Sequence, residues 1–301
     1  MKNLNTDWAF AQYERVRPLL PATTFPTKWK TIETMEEIAD QVDVFLLDAF
    51  GVLNVGRTVI DGAPEWVAKL QKAGKKVLVV ANGSSVSPAA SLLRFKNMGY
   101  EFAPEDVIAS RNVLSSTLAG RAQKLWGVML GDNGGIEELP VDSVHLGENR
   151  DDFDRVDGFV FFGSGTWNEK QQELLIASLT ANPRPILVGN PDIVAPRETG
   201  LTLEPGWFAH DARDRCGILP EFFGKPFGNI YAHALERIGP NVARDRIVMV
   251  GDTLHTDVWG GAAIGAKTVL MADFGLFAGR SVEPYINASK IVPDWIMTSR
   301  V

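Results

Sequence analysis

Val44-Phe45-Leu46-Leu47-Asp48 decides how the rest of the chain reads: four apolar residues without a break, closed by a carboxylate. The run is too short for a helix and lacks polar alternation, so it predicts a strand buried on both faces. Residues 64–73 follow with Trp66, Val67, Leu70 and Ala73 at helical spacing; Pro64 suits the first turn and Gly74 the end. Val77-Leu78-Val79-Val80 predicts the next buried strand, ending at Asn82-Gly83. A helix over 88–98 stops at Gly99, and Val107-Ile108-Ala109 predicts a third strand before a helix near 111–122. Strand and helix thus alternate at intervals of about 30 residues, which is the pattern of parallel βαβ units with helices covering the sheet.

The pattern restarts near residue 124. Val128-Met129-Leu130, Phe159–Phe162 and Ile186-Leu187-Val188 read as strands, with a helix over 168–181. A loop-rich stretch with Asn190-Pro191-Asp192 and Glu204-Pro205-Gly206 follows. The first pattern then resumes with Gly224-Lys225-Pro226, a helix carrying Ile230, Ala234, Leu235 and Ile238, the strand Ile247–Val250, a helix, and the strand Thr268–Met271. One α/β unit is interrupted by another. Residues 1–31 read as an N-terminal extension with one helix ended by Pro18, Pro21 and Pro26.

The chain has 301 residues, 45% of them hydrophobic and 22% charged, enough to bury a core without disulfides. Its single cysteine, Cys216, excludes an internal disulfide and any cysteine-cluster metal site, and reads as a buried small apolar residue. Thirty Lys and Arg against 37 Asp and Glu leave a formal charge of −7, which argues against a nucleic-acid partner. No segment approaches 18 uncharged apolar residues and the first twenty carry charges throughout, so no membrane partner is expected, and a cytoplasmic protein is the default.

In open α/β sheets, ligands bind beyond the carboxyl ends of the strands. Asp48 closes the first strand and Asn82 follows the second. Gly251-Asp252 follows Ile247–Val250, with Asp257 close behind, and Lys225 lies in a loop between. Each alone would be a turn former or helix cap. Together, carboxylates at adjacent strand ends can converge on one hard cation such as Mg²⁺, which takes oxygen ligands. A nearby lysine can hold a phosphoryl group. His255, inside Gly251–Asp257, reads as facing solvent or a helix cap. His210 and Asp211 read as loop surface, and Trp207 as part of a loop that could line a pocket.

These residues resemble the haloacid dehalogenase superfamily of hydrolases. The resemblance covers Asp48-Ala49-Phe50-Gly51-Val52-Leu53, Asn82-Gly83-Ser84-Ser85, Gly224-Lys225-Pro226 and Gly251-Asp252-Thr253-Leu254-His255-Thr256-Asp257. The large insertion, with Asn190-Pro191-Asp192 near its end, is similar to the class IIA cap of the nitrophenylphosphatase-like and sugar-phosphatase branch. The resemblance implies a Rossmann-like parallel-sheet core over 32–122 and 220–301 and an α/β cap over 123–219. It implies a Mg²⁺-dependent hydrolase of small phosphate esters. Asp48 would attack the phosphoryl group and form an aspartyl-phosphate, with Lys225 neutralising charge. Asp48, the Phe50 carbonyl, Asp252 and Asp257 would hold the metal. Asn82, Gly83, Ser84, Asn190 and Asp192 would contact substrate or phosphate. The partner would be a small phosphorylated metabolite, and a homodimer is compatible with the sequence.

Two positions depart from the family pattern. Family phosphatases carry a second aspartate two residues after the nucleophile, and here that residue is Phe50, which can neither donate nor accept a proton. Ala81 stands where the second motif usually begins with Thr or Ser. Asp-Ala-Phe-Gly also resembles the dehalogenases proper, which suggests a 2-haloacid dehalogenase-like alternative. The missing acid suggests another, a catalytically weak protein that binds a phospho-metabolite. His210 or Asp211 would be the replacements for the lost acid.

Overall fold

The computed structural model describes residues 4–131 and 134–298. Seven parallel strands form the larger sheet, in the order Lys30–Ile32, Trp295–Met297, Lys267–Met271, Ile247–Gly251, Val44–Leu47, Lys76–Ala81 and Val107–Ala109. The central strands are apolar on both faces because helices cover both: Phe45, Leu46 and Leu47 are fully buried, as are Val248, Met249 and Val250. Side chains of this size each contribute about 1.5–3 kcal/mol on burial, so the middle of the sheet is its most stable part.

The chain leaves Val44–Leu47 toward one edge through Lys76–Ala81 and Val107–Ala109. It returns to the other side of Val44–Leu47 as Ile247–Gly251. The strand order therefore reverses between Val44–Leu47 and Ile247–Gly251. Leu47 pairs with Val250, and the Asp48 N–H donates to the Val250 carbonyl at 2.9 Å. Asp48 and Gly251-Asp252 leave adjacent strands at this switch point, where an open parallel sheet leaves a crevice.

A second parallel sheet of five strands is formed by Glu221–Phe222, Ile186–Val188, Gly158–Phe161, Leu125–Met129 and Asp142–His145, in that order. It is inserted between the halves of the first. Helix Glu169–Ala181 begins with a capping box, the Asn168 side chain accepting from Gln171 N and the Gln171 side chain from Asn168 N. An antiparallel hairpin, Val194–Arg197 with Gly200–Leu203, follows the last inserted strand crossover.

The chain departs from the sequence expectations in several places, among them Lys30–Ile32, which brings the end of the expected 1–31 extension into the larger sheet as a strand. Pro205 through Cys216 is a helix, not a loop, so Trp207, His210 and Asp211 are helical. Pro205 is its first residue, a position where the missing N–H costs nothing, and Pro-Gly misreads there as a turn. His210 is 4% exposed and packs against Phe222, with ring centroids 4.9 Å apart. His255 is 1% exposed, its Nε2 2.6 Å from Glu14 Oε1 and its ring stacked on Tyr13. Cys216 is only partly buried.

The cover over His255 is the N-terminal helix Thr6–Val16, capped by the Asn5 side chain accepting from Trp8 N. Its buried Ala9, Tyr13 and Val16 pack among Leu254, Val258, Phe277 and Ile193. The Tyr13 hydroxyl accepts from Ile193 N at 3.1 Å, and Arg15 pairs with Asp214 on helix Pro205–Cys216. The helix thus touches the larger sheet's covering and the inserted part together. No helix of the described residues is long and apolar enough to cross a membrane.

Candidate active site

Asp48, Asp252 and Asp257 each offer a carboxylate oxygen within 4.8 Å of the others. Local backbone sets two of them. Gly251 leads from its strand into a π-helical turn over Leu254–Val258, which carries Asp257 back to the strand end. A Cβ on Gly251 would lie 2.0 Å from Asp257 Cγ, and one on Gly275 would lie 2.0 Å from Asp252 Oδ2. Glycine at these positions is what lets backbone close on the carboxylates. Asp252 Oδ2 accepts from Leu276 N at 2.7 Å and Oδ1 from the Thr253 hydroxyl at 2.9 Å. Asp257 Oδ2 accepts from Thr253 N at 3.1 Å.

Lys225 reaches into this group from the loop after Glu221–Phe222. Its Nζ lies 2.6 Å from Asp48 Oδ1 and 2.7 Å from Asp257 Oδ1, with 1% of the side chain exposed. The contact with Asp257 is one of charge, since the angles do not make it a hydrogen bond and Asp257 Oδ1 is left without one. Burial would favour neutral lysine, but Asp257, Asp48 and Asp192 outweigh it and raise the pKa, so Lys225 stays charged. Burial raises the pKa of Asp48, against the pull of Lys225 and with the push of Asp257. Burial, then Asp257 and Asp48, raise that of Asp252.

Three carboxylates against one ammonium leave this pocket short of positive charge. A divalent cation fits that deficit and an all-oxygen donor set suits Mg²⁺ rather than a soft metal. The buried Asp257 Oδ1 accepts no hydrogen bond, and Lys225, its one close cation, is shared with Asp48. Asp48 Oδ2 and the Phe50 carbonyl also accept no hydrogen bond among the described residues.

Asn82 is fully engaged inside the protein. Its Oδ1 accepts from Lys225 N at 2.7 Å, and its Nδ2 donates to the Lys225 carbonyl at 3.0 Å and to Asp192 Oδ1 at 2.8 Å. The Ser84 hydroxyl donates to the Phe162 carbonyl. Asn190 Nδ2 donates to Glu204 Oε2 at 3.1 Å, while its Oδ1 accepts from Asp192 N at 3.0 Å. The backbone N–H groups of Gly83 and Ser84 donate to nothing among the described residues. Asp192, Asn190, Gly83 and Ser84 line one cavity of about 60 Å³ with Ala49, Phe50, Arg94, Arg197 and Glu204. His210 and Asp211 do not line it. His210 is held near a pKa of about 3 by burial and by Arg213 and Arg15, and Asp211 accepts from Gln172 Nε2 at 2.9 Å.

Sequence reasoning missed Arg94 and Arg197. Their Cζ atoms lie 5.3 and 4.8 Å from the centroid of the Phe50 ring, so that ring carries a cation on its surface. Nothing local marks them: one is half-buried on a helix, the other on a hairpin, and only the tertiary contact with Phe50 reveals them.

A model of haloacid dehalogenase-like hydrolases matches residues 45–140, and a HAD-hydrolase-like model matches 222–296, between them more than half of the chain. The chain belongs to the haloacid dehalogenase-like hydrolases. The two matched segments carry Asp48 and Asn82, and Lys225, Asp252 and Asp257, so the converging residues are those of the family's own segments. An acid sugar phosphatase of Staphylococcus aureus is 28% identical over 230 residues, 76% of this chain and 86% of that protein. The fold is similar to that of a possible sugar phosphatase from Cytophaga hutchinsonii, with TM-score 0.77, 22% identity, and 90% and 98% of the two chains covered. It is also similar to a p-nitrophenyl phosphatase from Archaeoglobus fulgidus, with TM-score 0.70, 25% identity, and 86% and 97% covered. A parallel-sheet hydrolase core with an inserted α/β part is therefore the architecture of this enzyme.

Proposed function

We propose that this hydrolase cleaves small phosphate monoesters with Asp48 as nucleophile. The observation that carries the reading is the buried Lys225 ammonium between Asp48 and Asp257, with Asp252 closing the group at the switch point of the sheet. The phosphatase names of the S. aureus and A. fulgidus proteins support it. Asp48, the Phe50 carbonyl, Asp252 and Asp257 would hold Mg²⁺, which when bound supplies positive charge opposite the phosphoryl oxygens and the carboxylates. The cap of the enzyme is taken as the inserted part over 123–219, with Glu221–Phe222 completing its sheet by pairing.

In the reaction, an Asp48 oxygen forms a bond to phosphorus while the ester P–O bond breaks in line, and the alcohol leaves. Water then attacks the phosphorus, freeing phosphate and the Asp48 carboxylate. Lys225 lowers the charge of Asp48 as the anionic ester approaches. The free N–H groups of Gly83 and Ser84 are positioned to bind a phosphate oxygen. Asn82 acts through Lys225 and Asp192, whose positions it fixes, rather than by touching phosphate with its side chain.

Phe50 gives no proton to the departing alcohol. Of the two carboxyl groups lining the cavity, Glu204 is paired with Arg197 at 2.8 Å. Asp192 pairs with no arginine; it accepts from Asn82 Nδ2, and burial, opposed by Lys225, raises its pKa. Asp192 is therefore assigned as the proton donor. Asp192→Asn should slow sugar phosphates more than nitrophenyl phosphate, whose phenolate leaves without help.

Attack on a carbon bearing halide would leave Asp252 and Asp257 with no task, so the dehalogenase alternative finds no support in this geometry. The experiment is phosphate release over sugar phosphates, glycerol phosphates and nitrophenyl phosphate, with and without Mg²⁺. Multiple turnover in Mg²⁺ that chelator removes is expected; halide release from 2-haloacids without phosphate release contradicts the reading. Binding without turnover would instead mark the protein as a phospho-metabolite binder.

A further inference from the structure

Arg94 lies on helix Pro88–Asn97 and Arg197 on the hairpin between the inserted-sheet strands Ile186–Val188 and Glu221–Phe222. Both line the cavity of about 60 Å³, and both stack on Phe50, two residues beyond Asp48. Their partners differ. Arg197 is neutralised by Glu204, which also accepts from Thr202. Arg94 has no carboxylate among the described residues, and its Nε is buried without a hydrogen-bond partner. Arg57 and Arg197 are its charged neighbours, and with burial they disfavour its cation.

A guanidinium cannot escape this by losing its proton, so a half-buried cation among cations is left with an unmet need for an anion. The phosphoryl group has its own partners, Lys225 and the free amides of Gly83 and Ser84, the latter two lining the same cavity as Arg94. We propose that Arg94, flanked by Arg197, binds a second anionic group of the substrate, a carboxylate, so that the favoured substrates are phosphate monoesters of short hydroxy acids. The proposal rests on the phosphatase reading above and narrows its substrate class.

Shape supports a carboxylate. The planar guanidinium fork matches the two oxygens of a carboxylate, and the rings of Phe50 and Phe95 hold its Cζ within 5.3 and 5.9 Å of their centroids. The way in is a wider chamber of about 720 Å³ that shares Ser85, Val86, Arg197 and Glu204 with the cavity and adds Arg57. An anionic substrate would meet Arg57 and Arg197 first and Arg94 last.

The test uses 3-phosphoglycerate and glycerol 3-phosphate, which differ by a carboxylate in place of a hydroxymethyl group, with propane-1,3-diol bisphosphate as the arm whose second anionic group is a phosphoryl group. Binding is measured by calorimetry and turnover by phosphate release, on the full-length wild type, Arg94→Gln and Arg94→Lys, each checked for an unchanged melting profile. The expected result is a preference of at least tenfold for 3-phosphoglycerate over both others. Arg94→Gln should abolish it and Arg94→Lys should keep part of it. 3-Phosphoglycerate should lose at least tenfold more than glycerol 3-phosphate does in Arg94→Gln. No preference in the wild type, or one that Arg94→Gln leaves intact, overturns the proposal; so does a preference for the bisphosphate. If binding shows the Arg94-dependent preference but no ester is hydrolysed, the phosphatase reading fails and the anion site stands.

Discussion

Lys225 Nζ lies 2.6 Å from Asp48 Oδ1 in a site where 1% of the lysine side chain is exposed. The lysine is thus the protein's own counter-charge for the nucleophile, present before any substrate arrives. Lys225→Met would leave Asp48 and Asp257 facing each other. Turnover should fall at least a hundredfold, on the scale of losing one preorganised charge in a buried site. The sign of the stability change with pH follows from the carboxylates. Without the ammonium the folded pKa of Asp48, already raised by burial, rises further above the unfolded one, so the stability this group contributes is present at low pH and lost as pH rises. Melting curves of the variant should therefore fall below wild type by more at pH 8 than at pH 5.

Cation binding should be visible without turnover. The carboxylates of Asp48, Asp252 and Asp257 repel one another in a buried pocket, so Mg²⁺ should raise the melting temperature, in proportion to the logarithm of its concentration above Kd. Asp252→Asn should remove most of this rise while leaving the fold intact. A melting temperature unmoved by Mg²⁺ in wild type would contradict the three-carboxylate metal site.

Restoring a carboxylate beside the nucleophile should fail as a gain of function. From the family pattern alone, Phe50→Asp would supply an acid for the leaving alcohol. In the folded protein the new carboxylate would stand among the guanidiniums of Arg94 and Arg197, which would hold it ionised. The ratio of rates on sugar phosphates and nitrophenyl phosphate should stay within about threefold of wild type, well short of the 10²–10⁴-fold expected of a working general acid. A selective gain on sugar phosphates would show that the arginines do not control this position.

His210 offers a pH test away from the site. It is buried against Phe222 with Nδ1 unpartnered, and burial holds its pKa at about 3. The unfolded chain binds this proton below about pH 6.5 and the folded chain does not, so the group costs stability as pH falls. Between pH 6.5 and pH 5 the cost is about 2 kcal/mol. His210→Phe should flatten the pH dependence of unfolding over this window. An unchanged slope would mean that His210 is protonated in the fold.

The strands that build the site were legible because each is an uninterrupted apolar run, and a run such as Val44–Leu47 ending in Asp48 carries its own position in a parallel sheet. Lys225, Asp252 and Asp257 were legible by their order after such runs. Lys30–Ile32 and Trp295–Met297, the two strands at one end of the sheet, were not: Lys30-Thr31-Ile32 has a single apolar residue, and Trp295-Ile296-Met297 lies outside the strand–helix alternation that marked Val107–Ala109. Pro205–Cys216 was misread because Pro-Gly signals a turn unless the proline is the first helical residue. The burial of His255 depends on a helix some 240 positions away in sequence, Thr6–Val16, and no local pattern reports it. Arg94 is the clearest case: its chemistry comes from the partners it lacks, which only the folded chain reveals.

The central claim is that Asp48 carries the phosphoryl group during turnover. The direct measurement is rapid acid quench of enzyme with a hydrolysed phosphate ester, followed by peptide mass analysis, in wild type and Asp48→Asn. The account predicts one added phosphoryl group on the peptide containing Asp48, formed within a single turnover and absent from the variant, which should have lost activity while melting as a folded protein. A phosphoryl group on another peptide, or an Asp48→Asn protein turning over near the wild-type rate, would contradict it.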